Sequence, residues 1–248
     1  MSRQIEDYAL VSDCRTGALI SRDGSVDWLC LPRYDSASTF GALLGDPDHG
    51  RWLVAPTDPD AAASRRYLDR TFVLVTTWRT ATGELEVTDF MPHGGGRSDL
   101  VRRLRCLHGE VEVHEDLRVR FGYASALPWV RQLTEDAKPV LIAVAGPDAV
   151  VRRGPRLTAE GHAHTGDYRL RARGHRARHG RGRCPLPRSG RATFADRGRA
   201  LPHEPGDGGH RRLSARACRV SPHALGVTRP ALGRLSRGWP APDPARSC

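Results

Sequence analysis

No stretch of the 248-residue sequence approaches the roughly 18 consecutive apolar residues of a membrane-crossing helix, so a transmembrane protein is not expected. The start, MSRQIEDYAL, turns acidic at Glu6 and lacks the apolar centre of a secretory signal, which points to the cytoplasm. The six cysteines (Cys14, Cys30, Cys106, Cys184, Cys218 and Cys248) include no C-x-x-C pair and are expected to stay reduced. Neither a phosphate-cradling G-x-x-x-x-G-K-[ST] loop nor a G-x-S-x-G nucleophile turn occurs. The last 80 residues lack Ile, Met, Tyr, Asn, Gln and Lys altogether and hold two aromatics, Phe194 and Trp239. Such a segment cannot bury enough apolar surface to offset the entropy of ordering it.

What that segment has in abundance is arginine. Residues 1–168 carry 20 Lys+Arg against 24 Asp+Glu, whereas 169–248 carry 19 Arg against 4 Asp+Glu. The formal charge of +11 therefore divides into −4 and +15, and the average misrepresents both parts. Arg, Gly, Ala and Pro make up 50 of the last 80 residues, and no apolar periodicity survives past about residue 170. Residues 169–248 read as a disordered, low-complexity basic tail. Nucleic acid is expected to bind it only non-specifically, because the tail lacks interleaved aromatics for base stacking. Its composition is that of GC-rich codons read out of frame, and a frameshift is the expected origin. Residues 1–168 suffice for one ordinary domain with its own core.

That first part reads as all-β. TFVLVTTWR (71–79) and ELEVTDFM (84–91), linked through Thr82-Gly83, have the composition of a hairpin. LVRRLRCL (100–107) and EVEVHEDLRVRF (110–121) follow, joined by His108-Gly109. In the second run Val111, Val113, Leu117, Val119 and Phe121 share one parity, while Glu110, Glu112, Arg118 and Arg120 take the wet one. Glu115 falls on the apolar parity and suggests a bulge or an interruption. Further strands are expected at 8–12, 17–21, 26–31, 51–55, 139–145 and 149–153, and one short helix at 36–45. The fold class is an antiparallel β-sandwich followed by the tail.

The segment IEDYALVSDCRTGALISRDGSVDWLCLPRYDSASTFGALLG (5–45) resembles the start of bacterial trehalase-like and glucoamylase-like enzymes of glycoside hydrolase family 15. The resemblance continues through HGRWLVAP (49–56), VTDFMP (87–92), LVRRL (100–104), LRVRFGYA (117–124) and PWV (128–130), and ends near residue 168. It implies a trehalase-like N-terminal β-sandwich over 1–168. In enzymes of that family the hydrolysis of α-glucosidic bonds resides in a following (α/α)6 barrel, which nothing after residue 168 resembles. No catalytic residue is therefore expected here. The implied partner is the barrel of an intact enzyme, with an α-glucoside as a possible ligand.

Few residues compete for a chemical role. Glu110 and Glu112 are two apart on a strand, about 6.6 Å, near the lower limit for an inverting carboxylate pair. Both sit on the wet parity, as Glu84 and Glu86 do, and read as a solvated face. Asp27, Trp28, Arg33 and Asp35 combine types that bind sugars, where aromatics stack and Asp and Arg bond hydroxyls. They are candidates for substrate binding or for the barrel interface, with a third reading in which Trp28 is core and Arg33 with Asp35 closes a turn. His175, His179, Cys184, His203, His210 and Cys218 lie at irregular spacings in Arg-Gly-Pro sequence, and His162 and His164 read as loop residues, so no metal or cofactor is expected. Three functions stay open: the non-catalytic N-terminal part of a family 15 hydrolase, a standalone carbohydrate- or partner-binding sandwich, and nucleic-acid binding through the tail.

Overall fold

The computed structural model describes residues 3–93 and 98–172, and the backbone of 224–228. The chain forms β1 (Ala9–Ser12), β2 (Gly17–Ile20), β3 (Ser25–Cys30), β4 (Ser38–Phe40), β5 (Arg51–Pro56), β6 (Ala62–Tyr67), β7 (Leu74–Arg79) and β8 (Gly83–Phe90). It continues with β9 (Asp99–Arg118), β10 (Trp129–Glu135), β11 (Lys138–Ala145), β12 (Asp148–Arg153), β13 (Thr158–Glu160), β14 (Ala163–Arg171) and β15 (Ala224–Thr228). All pairings between these strands are antiparallel. The only helical turns among the described residues are three-residue 3-10 turns.

Two sheets share one strand. The first runs β1-β2-β3-β5-β9-β14-β13, with β4 on β3, and the second runs β6-β7-β8-β9-β15-β12-β11-β10. The 20-residue β9 lends its first half to β8 and β15 and its second half to β5 and β14. The expected pair of strands at 100–107 and 110–121 is thus a single strand that turns the corner of the sandwich. Leu107 is the extra residue where β8 partners skip from Cys106 to His108. The insertion changes the inward parity from Leu100, Arg102 and Leu104 to Val111, Val113, Glu115 and Leu117. At the corner itself Gly109 has φ +64°, and a Cβ there would fall 2.1 Å from the Thr82 carbonyl oxygen. No larger residue fits.

Between the sheets lies one apolar core. Val11, Ile20, Val26, Leu29, Trp52 and Val54 of the first sheet meet Leu74, Trp78, Leu85, Val87, Leu100 and Leu104 of the second. Two arginines share this interior. Arg102 bonds Asp89 at 2.9 Å, donates to the carbonyls of Trp52 (2.8 Å) and Gly24 (2.7 Å), and lies 5.3 Å from the centre of the Trp52 ring. Arg152 pairs with Glu115, whose Oε1 also accepts from the Trp52 indole at 2.9 Å. Buried charges persist only when paired in this way.

Several expectations change. Glu115 sits in uninterrupted register opposite Val54 and Gly166, so its apolar parity marks burial with Arg152 and not a bulge. The expected helix at 36–45 is β4 followed by a 3-10 turn at Ala42–Leu44. Ser38 and Thr39 are buried in the strand on β3, and Ser36 bonds the Arg33 backbone in the preceding turn instead of capping a helix. Order runs three residues past the expected boundary, through Arg171, with Leu170 in the core. Ala224–Thr228, within the expected tail, forms β15 between β9 and β12. The remaining residues of the tail, with its histidines and cysteines, lie outside the described residues. Cys14, Cys30 and Cys106 are free. No helix of the described residues is long and apolar enough to cross a membrane.

Candidate functional site

The four residues singled out between 27 and 36 do not converge. Asp27 is the unpaired extra residue of a bulge, since β2 partners step from Trp28 to Val26. Its buried carboxylate accepts from the Tyr8 hydroxyl at 2.8 Å and from Ser25 Oγ at 2.5 Å. Burial and this carboxylate raise the Tyr8 pKa, which keeps the hydroxyl a donor. Trp28 is half-buried, with its ring 5.9 Å from that of Tyr123. Arg33 and Asp35 form an exposed side-by-side pair at 2.8 and 3.2 Å, closing a turn in which Ser36 and Arg33 also bond each other. The Arg33 bond lowers the Asp35 pKa. Leu29 and Leu31 belong to the core. Arg33 and Asp35 thus close a turn, while Trp28 lies outside the core that the turn-and-packing reading assigned it to.

Glu110 and Glu112 stand on an exposed face, where Arg169 reaches them at 3.0 and 3.9 Å and Arg171 bonds Glu110. This is a cross-strand ion ladder between β9 and β14.

A small concavity of about 110 Å³ is lined by Tyr8, Asp27, Asp46 and Arg51, and two more lie where β9 ends. Beyond Arg118 the chain enters a loop in which Gly122, Tyr123 and Ala124 all have positive φ, then returns as β10. A cavity of about 250 Å³ opens here, bounded by Arg120, Leu127, Val130, Leu141, His162 and His164. A neighbouring concavity of about 550 Å³ shares Arg120, Leu127 and His162 and adds Asp48, Arg118 and Glu160. Arg118 is fully engaged, by Asp48 at 2.5 Å and by Asp116 at 3.1 Å. Burial opposes its charge, but those two carboxylates outweigh it and raise the pKa. Asp116 is further held by Arg51 at 2.6 Å.

Arg120 differs from its neighbours. It is 7% exposed, against the expectation that it lies on the wet parity of β9. The strand has ended by this point, and Gly50 packs so closely over the side-chain stem that a Cβ on it would stand 2.9 Å from Arg120 Cβ. Nη1 donates to the carbonyls of Val119 (2.9 Å) and His162 (3.1 Å). Burial lowers the Arg120 pKa, and burial followed by repulsion from Arg120 lowers that of His164. His164 is in β14 and not in a loop, while His162 occupies the turn before it. Nothing in the sequence pattern marked this cluster, because Arg120 alternates with Val119 and Phe121 as a solvated residue would. Among the described residues no group of three or more His, Cys, Asp or Glu is placed to hold a metal ion.

The family model for the trehalase-like N-terminal domain matches residues 1–155. The chain belongs to that family. The trehalase-like domain is similar to the trehalase of Mycolicibacterium smegmatis, 38% identical over 138 residues, which cover 48% of this chain and 20% of that protein. It is similar in the same measure to the trehalase of Mycobacterium tuberculosis, 37% identical over 138 residues, covering 48% and 20%. Trehalase 1 of Sulfolobus acidocaldarius is 33% identical over 117 residues, covering 47% and 20%. The chain thus spans about a fifth of the length of these relatives. No solved structure matches the trehalase-like domain.

Proposed function

We propose that this chain supplies the non-catalytic N-terminal sandwich of a family 15 glycoside hydrolase acting on trehalose or a related α-glucoside. The observation carrying the proposal is the match over residues 1–155 to a family whose trehalase relatives extend about five times further than the matched part. The placement of the carboxylates supports it. Asp89, Glu115 and Asp116 are neutralised by buried or half-buried arginines, and Glu110 and Glu112 by the exposed ladder. The carboxylate pair that the sequence spaces nearest to a hydrolytic one, Glu110 and Glu112, already has structural partners.

The partner is then the catalytic portion of such an enzyme, with Trp28 and the exposed Arg33–Asp35 turn as its contact candidates. The arginine-rich stretch is an out-of-frame translation of the gene, and the site of action is the cytoplasm. Purified chain should release no glucose from trehalose, maltose or soluble starch above a blank. Release that disappears in Glu110→Gln or Glu112→Gln would refute the reading. Sequencing and translating the downstream DNA in the other two frames tests the origin of the tail, and a barrel-encoding frame is the expected result.

A further inference from the structure

Four arginines among the described residues present the Nε and Nη2 edge of the guanidinium to a carboxylate, Arg51 with both donors on one oxygen of Asp116. Arg102 uses Nε and Nη2 on Asp89 (2.9 and 3.5 Å), Arg152 uses them on Glu115 (3.0 and 2.5 Å), and Arg33 uses them on Asp35 (2.8 and 3.2 Å). Two parallel N–H donors match two carboxylate oxygens, which makes this edge the strong and directional one. Arg120 departs from the pattern. Its hydrogen bonds run through Nη1 to two backbone carbonyls, and it forms no ion pair with a carboxylate among the described residues. The Nε and Nη2 edge is left open on a side chain that is more than nine-tenths buried.

The surroundings define what would fill it. The 250 Å³ cavity that Arg120 lines contains two histidines and otherwise apolar or glycine surface, with no carboxylate in its wall. The acidic groups of the adjoining concavity are Glu160 and Asp48, and Asp48 is already held by Arg118. Asp48 and Asp116 act on Arg120 only through space, being bonded to Arg118 and Arg51, so a half-compensated buried cation gains when an anion is brought onto its open edge. The cavity has room for a small organic acid.

We propose that the Arg120 cavity is a binding site for a small carboxylate with an apolar body, docked side-on to Nε and Nη2 with its hydrocarbon part against Leu127, Val130 and Leu141. His162 and His164 offer further donors at the mouth and do not need to be charged for this role.

The test is titration of the full chain with sodium butanoate, with butanamide as the uncharged isostere and inorganic phosphate as the competing oxyanion. Calorimetry should show saturable butanoate binding, and the Arg120 Nε–H resonance should move downfield in proton–nitrogen correlation spectra as the side-on pair forms. Butanamide should bind at least about tenfold more weakly, since a charge-assisted fork is replaced by a single neutral acceptor. Arg120→Lys keeps the charge but removes the fork, and should weaken butanoate at least about tenfold. Leu127→Trp fills the cavity from its rim without touching the guanidinium, and should abolish binding while circular dichroism stays unchanged. Equal binding of acid and amide, unchanged affinity in both variants, or phosphate binding more tightly than butanoate would each overturn the proposal.

Discussion

Removal of the Glu115 carboxylate should be among the most damaging single changes this sandwich can undergo. The side chain is fully buried, and its two oxygens accept from Arg152 Nε at 3.0 Å, from Arg152 Nη2 at 2.5 Å and from the Trp52 indole at 2.9 Å. In Glu115→Ala the Arg152 guanidinium, 2% exposed, keeps one partner, the Pro155 carbonyl, and loses its counter-charge. An orphaned buried cation costs about 3–5 kcal/mol, and the unpaired indole adds about 1 kcal/mol. With a urea m-value of about 2 kcal/mol/M for a domain of this size, the midpoint should fall by roughly 2–3 M. The double change Glu115→Leu with Arg152→Met removes both charges while keeping volume, and should recover most of that loss. Urea unfolding followed by circular dichroism reads all three proteins. If Glu115→Ala shifts the midpoint by less than about 0.5 M, or the double variant is weaker than the single one, the ion pair is not what the buried network depends on.

Three further outcomes follow from other parts of the fold. Gly109→Ala places a Cβ against the Thr82 carbonyl at positive φ and should cost about 2–4 kcal/mol in the same unfolding assay, whereas Gly146→Ala, with open space around it, should cost about 1 kcal/mol. The His164 pKa is lowered in the fold, so the unfolded chain takes up the proton first as pH falls. Stability should therefore be lost on acidification below the ordinary value of 6.5, and His164→Gln should reduce the change in urea midpoint between neutral and mildly acidic pH. Arg33→Ala should leave the midpoint unchanged within error, because its pair with Asp35 is fully in solvent.

The β character, the hairpin of β7 and β8 and most of the strands through β5 were legible because period-2 alternation and turn residues report one buried face directly. The failures have specific causes. β6 and β10 expose most of their side chains and so carry no apolar alternation to read. β9 looked like two strands because a bulge at Leu107 and a glycine corner switch its inward parity. Arg102 and Arg152 lie on inward parities, where apolar residues are expected; their partners Asp89 and Glu115 are 13 and 37 residues away, beyond any local pattern. The same limit concealed Arg120, whose burial depends on Gly50 and on the turn at His162. The DWLCLPRYDS segment places a bulge, two core leucines and a tight turn within ten residues, which is one reason it is distinctive in sequence.

The strand that belongs to both sheets also governs how the molecule can come apart. Opening either sheet requires stripping backbone hydrogen bonds from β9, and β9 cannot leave one sheet without loosening its continuation in the other. Amides of β5 and of β8 should therefore exchange with deuterium through one shared opening event, with equal free energies, although they occupy different layers. The same sharing gives the fold long sequence separations at its centre, since β9 pairs with β5 across 67 residues at Arg51–Arg118 and 57 at Pro56–Val113.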